Sequence, residues 1–310
     1  MQAIARYVMR GRLQAMLVAA VAALLSLLLP PLNYISSAVI GLVTLRKGWR
    51  EGLIVIVGAG VATAAFAVLT PLDPWHADLV AAAIWVPVWG LALILRYTVS
   101  LSITVGSAGI IGALIVLGTY LSLGDPAQAW RDVLGRIVDL AKQQNEPAVA
   151  DSLGQILLHA APHMTGMLIA ALVLGLTLSL FLARWWQALL FNPGGFSREF
   201  RGLRLGRNFA LLNLGALAAS MAASGWFAEV AANVLIVLVV VYLVHGMALI
   251  HGIVAAKGLR AGWLIAVYVV TFILPQSTLL VAAAAFADSW MDIRARIKKS
   301  DKGGQSDHET

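Results

Sequence analysis

Nearly uncharged runs of about 17 or more residues alternate with short polar turns along the whole chain. Such runs span a bilayer as helices, and no soluble core needs so many of them. The first, Leu13 to Leu29, follows a start carrying Arg6, Arg10 and Arg12. It looks like the charged start and apolar core of a signal peptide. Pro30 and Pro31 follow it in place of a small-residue cleavage site, so it reads as a retained helix broken by the prolines. Leu32 to Leu45 is short, about 21 Å as a helix against a hydrocarbon core of roughly 30 Å. It must borrow flanking residues, thin the bilayer or pack against protein. Gly52 to Thr70, Leu79 to Leu95, Val99 to Leu121, Met164 to Phe191, Phe209 to Phe227 and Val230 to Ile250 continue the series. Ala261 to Ala287 closes it, interrupted at Pro275. The pattern predicts an all-α fold: a polytopic transmembrane helix bundle of about eight to nine segments over 1–291, then a polar tail over 292–310.

The longest polar connection, 124–163, has a helical period of its own. Asp125-Pro126 is a helix start, a capping carboxylate with proline at the first helical position. Trp130, Val133, Leu134, Ile137, Val138 and Ala141 then recur at helical spacing. Asn145-Glu146-Pro147 restarts the pattern, with Val149, Leu153, Ile156, Leu157 and Ala160. Two amphipathic helices are expected, lying on the membrane surface or capping the bundle.

Composition agrees with the pattern. The chain is 60% hydrophobic and 12% charged, about half the charge of a soluble domain. It has no cysteine, which excludes disulfides, thiolate metal sites and cysteine nucleophiles. The net charge of +7 does not imply nucleic acid, because the basic residues sit in the turns, where the positive-inside rule puts them. With the N-terminus inside, the inner connections hold Arg6, Arg10, Arg12, Arg46, Lys47, Arg50, Arg96, Arg184, Arg198, Arg201, Arg204, Arg207, Lys257 and Arg260. The outer ones hold Arg131, Arg136 and Lys142, and most of the acidic residues, including Asp73, Asp78, Asp125, Glu146 and Glu229. The tail opposes this count if 261–287 crosses once, since it carries Arg294, Arg296, Lys298, Lys299 and Lys302. A stretch that enters and returns at Pro275-Gln276 puts the tail inside with the other basic segments, and that arrangement is expected here.

Candidate chemistry is sparse. Lys47-Gly48-Trp49-Arg50-Glu51-Gly52, Arg201-Gly202-Leu203-Arg204-Leu205-Gly206 and Lys257-Gly258-Leu259-Arg260-Ala261-Gly262 share one spacing of basic residues and glycines. Each precedes an apolar run on the inner side. The largest of these interruptions is the basic loop 192–208. Lys47, Arg50, Arg198, Arg201, Arg204, Arg207, Lys257 and Arg260 are therefore candidates for contact with a partner or a lipid phosphate, or are snorkelling basic turns. Ala15, Ala19 and Ala23 form a small-residue ridge suited to close helix packing, as do Ala216, Ser220 and Ser224. Asn213, Asn233, Tyr242 and His245 are polar residues inside apolar stretches, so they are candidates for substrate contact or for hydrogen-bonded packing. Tyr242 and His245 share a helix face; His245 and His251 do not, which argues against a two-histidine metal site. No metalloprotease, nucleotide-loop or dinucleotide motif is present. Ala222-Ala223-Ser224-Gly225 lacks the first glycine of an intramembrane serine protease motif. No carboxylate cluster lies within the apolar runs. The expectation is a protein that is not an enzyme, with no cofactor and no metal.

Several passages resemble the YybS-like family of predicted bacterial membrane proteins, a family of unknown function. They are Pro31-Leu32-Asn33-Tyr34-Ile35-Ser36 with Leu42-Val43-Thr44-Leu45-Arg46-Lys47-Gly48, Asn192-Pro193-Gly194-Gly195-Phe196 with Glu199-Phe200 and Leu203-Arg204-Leu205, and Phe286-Ala287-Asp288-Ser289-Trp290-Met291-Asp292-Ile293-Arg294. That family is similar, more distantly, to the substrate-binding membrane subunits of energy-coupling-factor vitamin transporters and to the rod-shape protein MreD. The resemblance implies that Ala15, Ala19 and Ala23 match a ridge through which such subunits contact their transmembrane coupling protein. The expected function is a small-metabolite binding subunit or permease of the bacterial inner membrane. Its site would lie within the bundle near the outer face. The alternative is an MreD-like scaffold that docks partners through basic cytoplasmic loops. Membrane lipids, a small-molecule ligand and a membrane partner subunit are the expected partners.

Overall fold

A computed structural model describes residues 1–68, 74–143, 147–294 and 296. Asp73, Asn145, Glu146 and 297–310, which carry part of the expected outer turns and most of the tail, lie outside the described residues. No strand occurs among the described residues. In chain order the helices are α1 Gln2–Arg10, α2 Arg12–Leu25, α3 Leu32–Lys47, α4 Trp49–Ala67, α5 Pro74–Thr98, α6 Leu101–Leu123 and α7 Pro126–Gln143. Then come α8 Pro147–Ala160, α9 Met164–Phe191, α10 Gly195–Gly202, α11 Arg207–Ala222, α12 Trp226–Ala256, α13 Gly262–Ile273 and α14 Gln276–Met291.

Among the described residues, five stretches are long and apolar enough to cross a membrane: Trp49–Ala67, Ala81–Thr98, Leu101–Leu123, Gly154–Phe191 and Trp226–Ala256. The other expected segments are helices of 12 to 16 residues, α2, α3, α11, α13 and α14. Helix length alone thus carries five of the expected eight or nine segments. Three boundaries also move. The N-terminal charged stretch is itself a helix, parted from α2 at Gly11, which is extended. The seventh segment ends at Ala222, so Ser224 falls beyond the helix that carries Ala216 and Ser220. The eighth begins at Trp226 and runs to Ala256.

Contacts divide the chain into two compact units, Met1–Ala108 with Leu174–Leu203, and Gly109–Val173 with Arg204–Thr310. In the first, α3 is the centre: every residue from Ser36 to Leu45 is buried. It packs against α2, α4 and α5, so this short segment is surrounded by protein. Small residues allow the approach. Gly41 lies against Ala183 and Val88, and a Cβ at Gly52 would stand 2.7 Å from Trp89. The Ser36 hydroxyl donates to the Ala19 carbonyl at 2.8 Å and accepts from Trp85 Nε1 at 3.0 Å. One end of this unit collects the basic turns. Arg12 grips Glu51 through Nε at 2.8 Å and Nη2 at 2.5 Å, which joins the starts of α2 and α4. Arg96 at the end of α5 donates to the Leu45 carbonyl at 2.5 Å, at the end of α3.

In the second unit, α12 is the axis, with α11 and α14 packed along it. α14 runs back along α12, with Val281 against Gly246 and Phe286 against Tyr242. The closing apolar stretch is therefore two helices broken at Leu274 and Pro275, spanning about 18 and 24 Å at 1.5 Å per residue. Each is shorter than a hydrocarbon core of roughly 30 Å. At the other end, Asp125 Oδ1 accepts the Gln128 backbone N–H at 3.0 Å, which caps α7. α7 packs on α8, and Trp130 Nε1 donates to Thr165 Oγ1 at 2.9 Å. Of the α7 apolar face, Leu134 is buried, whereas Val133 and Ile137 are exposed.

Candidate functional site

Tyr242 and His245 sit one turn apart on α12, and both side chains are buried. The Tyr242 ring is enclosed by Phe209 at 5.8 Å and Phe286 at 5.7 Å between centroids. Gly246, the next residue, brings α14 close enough that its Val281 carbonyl occupies the place of a Cβ. That approach sets Asp288 opposite His245, with His245 Nε2 3.1 Å from Asp288 Oδ2.

The end of α14 completes the cluster. Asp292 closes the helix in the left-handed conformation, φ 47°, which aspartate tolerates better than most residues. The turn brings the Ile293 N–H to Asp288 Oδ1 at 2.8 Å and Arg294 Nη2 to Asp288 Oδ2 at 2.9 Å. Arg204 arrives from the basic loop. It donates to the Asp288 carbonyl from Nη2 at 2.8 Å and Nε at 3.1 Å, and to Asp292 Oδ2 from Nη1 at 2.6 Å. Its guanidinium thus satisfies a carbonyl of the last helical turn and complements the negative end of α14. The extended backbone around Arg204 places Leu203 and Leu205 in buried positions, with Arg204 only partly covered.

A carboxylate only accepts hydrogen bonds, so the nearer contact, to Asp288, favours the imidazole proton on Nε2, whereas Arg294 Nη2, a donor 3.3 Å from the same nitrogen, favours it on Nδ1. Among the described residues His245 Nδ1, the Tyr242 hydroxyl and Asn213 Oδ1 are buried without a well-formed hydrogen bond, although Ser289 lies near the Tyr242 hydroxyl. In a low-dielectric interior each such group costs about 1–3 kcal/mol unless something satisfies it. Three of the four polar residues singled out in the sequence therefore retain unsatisfied polar atoms. Asn233 does not. Its Nδ2 shares its two hydrogens among Tyr120 Oη at 3.0 Å, the Pro162 carbonyl at 2.8 Å and the Glu229 carbonyl at 2.9 Å, and its Oδ1 accepts the Gly166 N–H at 2.6 Å. It is a helix-joining residue at the opposite end of α12 from the Asp288 cluster.

The basic candidates separate into two groups. Lys47, Arg50, Arg198, Arg201, Arg207, Lys257 and Arg260 are exposed. Arg204 is partly covered and bound to α14. In the first unit, Arg184 grips Glu199 from Nε and Nη2 and Gln187 from Nη1. Phe196 and Phe200 pack on Phe181, so α10 is fastened to α9. The three Gly-Arg-Gly turns do not share a backbone. Gly48 and Gly258 have positive φ, 102° and 62°, whereas Gly202 ends α10 and Gly206 has φ −75°. Of the alanine ridge, Ala15 and Ala19 are buried and Ala23 is half-buried.

Sequence reasoning missed Asp288 and Arg294. The available signal was an acidic residue at the edge of the last apolar run, inside the Phe286–Arg294 motif that carried the family resemblance. Among the described residues, no group of three or more histidine and acidic side chains is arranged to hold a metal.

The family described as Predicted membrane protein (DUF2232) has a model that matches residues 17–289, nearly the whole of the helical chain. No curated protein and no solved structure matches.

Proposed function

The chain belongs to the DUF2232 family of predicted membrane proteins, and from that premise we propose that it binds a small polar metabolite as a transport-type subunit or permease of the bacterial cytoplasmic membrane. The observation that supports this reading is the buried stretch of α12 where, among the described residues, His245 Nδ1 has no partner and the Tyr242 hydroxyl has only Ser289 near it. A ligand offering N–H or O–H donors would satisfy both and offset their desolvation. The Asp288 carboxylate, the nearer of the two groups at Nε2, favours the tautomer that leaves Nδ1 as an acceptor. Asn213 Oδ1 on α11 is a further acceptor in the same unit. In this reading the basic turns face the cytoplasm, and the tail follows them because Arg204 of the basic loop holds Asp292. The site then lies toward the cytoplasmic end of α12. A thermal-shift panel of vitamins and other small metabolites on the purified protein tests it. A compound that stabilises the wild type but neither Tyr242→Phe nor His245→Gln supports the proposal. Silence across the panel counts against it.

A second reading has its own support: seven basic side chains of the turns are exposed, as a scaffold that docks partners would require. Its test is a crosslinked pull-down with Arg198→Glu and Arg201→Glu combined. Arg204 is left intact because its role is internal. A stable partner lost in that variant supports the scaffold; a partner retained counts against docking through this loop.

A further inference from the structure

The first unit has a pocket of its own. The ends of α3, α5 and α9, with α10, line an open pocket of about 340 Å³ formed by Leu45, Leu95, Arg96, Val99, Arg184 and Glu199. This volume is at the small end of ligand pockets, about 300–1,000 Å³. Its charges are not balanced. Arg184 and Glu199 neutralise each other through a two-pronged ion pair. Arg96 donates one bond to the neutral Leu45 carbonyl, and no carboxylate pairs with it among the described residues. The pocket therefore carries one net positive charge on a guanidinium, whose planar fork suits a phosphate. Arg96 is exposed and is held by its bond to the Leu45 carbonyl, beside the turn at Gly48. A Cβ at Gly48 would lie 3.9 Å from Arg96 Nη2, and the residue has φ 102°, where a side chain would strain the turn. The remaining wall is apolar, formed by Leu45, Leu95 and Val99.

We propose that this pocket binds a phosphate group bearing an apolar extension, the headgroup of an anionic phospholipid, with Arg96 as its main contact. The guanidinium takes the phosphate oxygens, and the leucine and valine wall takes the adjoining glycerol and first acyl carbons. The pocket lies among the basic inner connections, where anionic headgroups are expected.

The test uses the full chain in detergent, with native mass spectrometry of lipid retention and thermal shift as readouts. The probes are phosphatidylglycerol, phosphatidylcholine and inorganic phosphate. Phosphatidylglycerol is expected to be retained and to stabilise the protein, and phosphatidylcholine to do neither. Arg96→Gln should weaken retention about tenfold, the factor for loss of one charge-assisted contact. Val99→Trp adds bulk at the exposed wall and leaves the Arg96–Leu45 bond in place, so it separates loss of binding from misfolding. It should also lower retention. If inorganic phosphate alone stabilises the protein through Arg96 and the lipid does not, the phosphate site stands and its ligand is a soluble anion. If neither probe acts through Arg96, or phosphatidylcholine is retained equally, the proposal is overturned.

Discussion

His245 Nε2 and Asp288 Oδ2 lie 3.1 Å apart, and neither side chain is accessible to solvent. Two helices that are distant in sequence are joined there by a charge inside an apolar bundle. The carboxylate of such a pair offsets its desolvation when its other lone pairs are also satisfied. Asp288 meets that condition, with Arg294 and the Ile293 N–H completing its carboxylate.

Asp288→Ala removes the acceptor of all three groups at once. Breaking a buried ion pair from one side costs about 3–5 kcal/mol, so thermal unfolding in detergent should move down strongly. Arg294→Gln, which alters a partly exposed partner, should cost less. Equal melting temperatures for Asp288→Ala and the wild type would show that this cluster does not hold α14 to α12.

Asn233→Ala leaves Tyr120 Oη and the Pro162 carbonyl without their donor and the Gly166 N–H without its acceptor. Each group orphaned in the interior costs about 1–3 kcal/mol. The variant should fall well below wild type in thermal stability, whereas Asn208→Ala in the exposed loop should not. Hydrogen exchange should rise at Gly166 before it rises in α3. Unchanged protection at Gly166 would contradict the assignment of Asn233 as a helix-joining residue.

Gly246→Ala places a methyl group where the Val281 carbonyl already sits. Overpacking of this kind costs about 1–3 kcal/mol. Gly60 is the control, since a Cβ there meets nothing within 4 Å. Gly60→Ala should be neutral or stabilising by up to about 1 kcal/mol through helix propensity. The two midpoints, compared in one detergent, separate close packing from glycine content.

Arg204 and Asp292 form an ion pair at 2.6 Å across 88 positions of sequence. Arg204→Glu should destabilise, and adding Asp292→Arg should restore part of the loss; their coupling is expected at about 0.5–3 kcal/mol. In the proposed orientation, this pair keeps Asp292 beside the basic loop. A reporter enzyme that is active only in the periplasm should be silent when fused after Thr310, and a fluorescent protein fused there should glow. Periplasmic activity at that fusion would overturn the proposed cytoplasmic tail.

The sequence by itself determined the class of object. Sixty per cent hydrophobic composition and recurring apolar runs leave helices as the way to satisfy each backbone group within its own segment, so α-helical membrane segments were legible from local pattern. The bounds of Met164–Phe191 were readable for the same reason, as was the cap of α7 at Asp125. Hydropathy also drew attention to Tyr242 and His245, because a polar residue in an apolar run stands out locally. What those residues touch was decided by tertiary structure. Asp288 was hidden at the edge of a run, and only the approach of α14 at Gly246 puts it against His245. Arg204 reads in sequence as one more basic turn residue, and only the fold turns it toward the end of α14 while Arg198, Arg201 and Arg207 stay exposed. Likewise, α3 is too short by length and is accommodated by burial among α2, α4 and α5. The physical reason is common to all three. Periodicity records which solvent a segment prefers, whereas a hydrogen bond or ion pair between residues some 40 to 90 positions apart depends on backbone approach in three dimensions, which no local window contains.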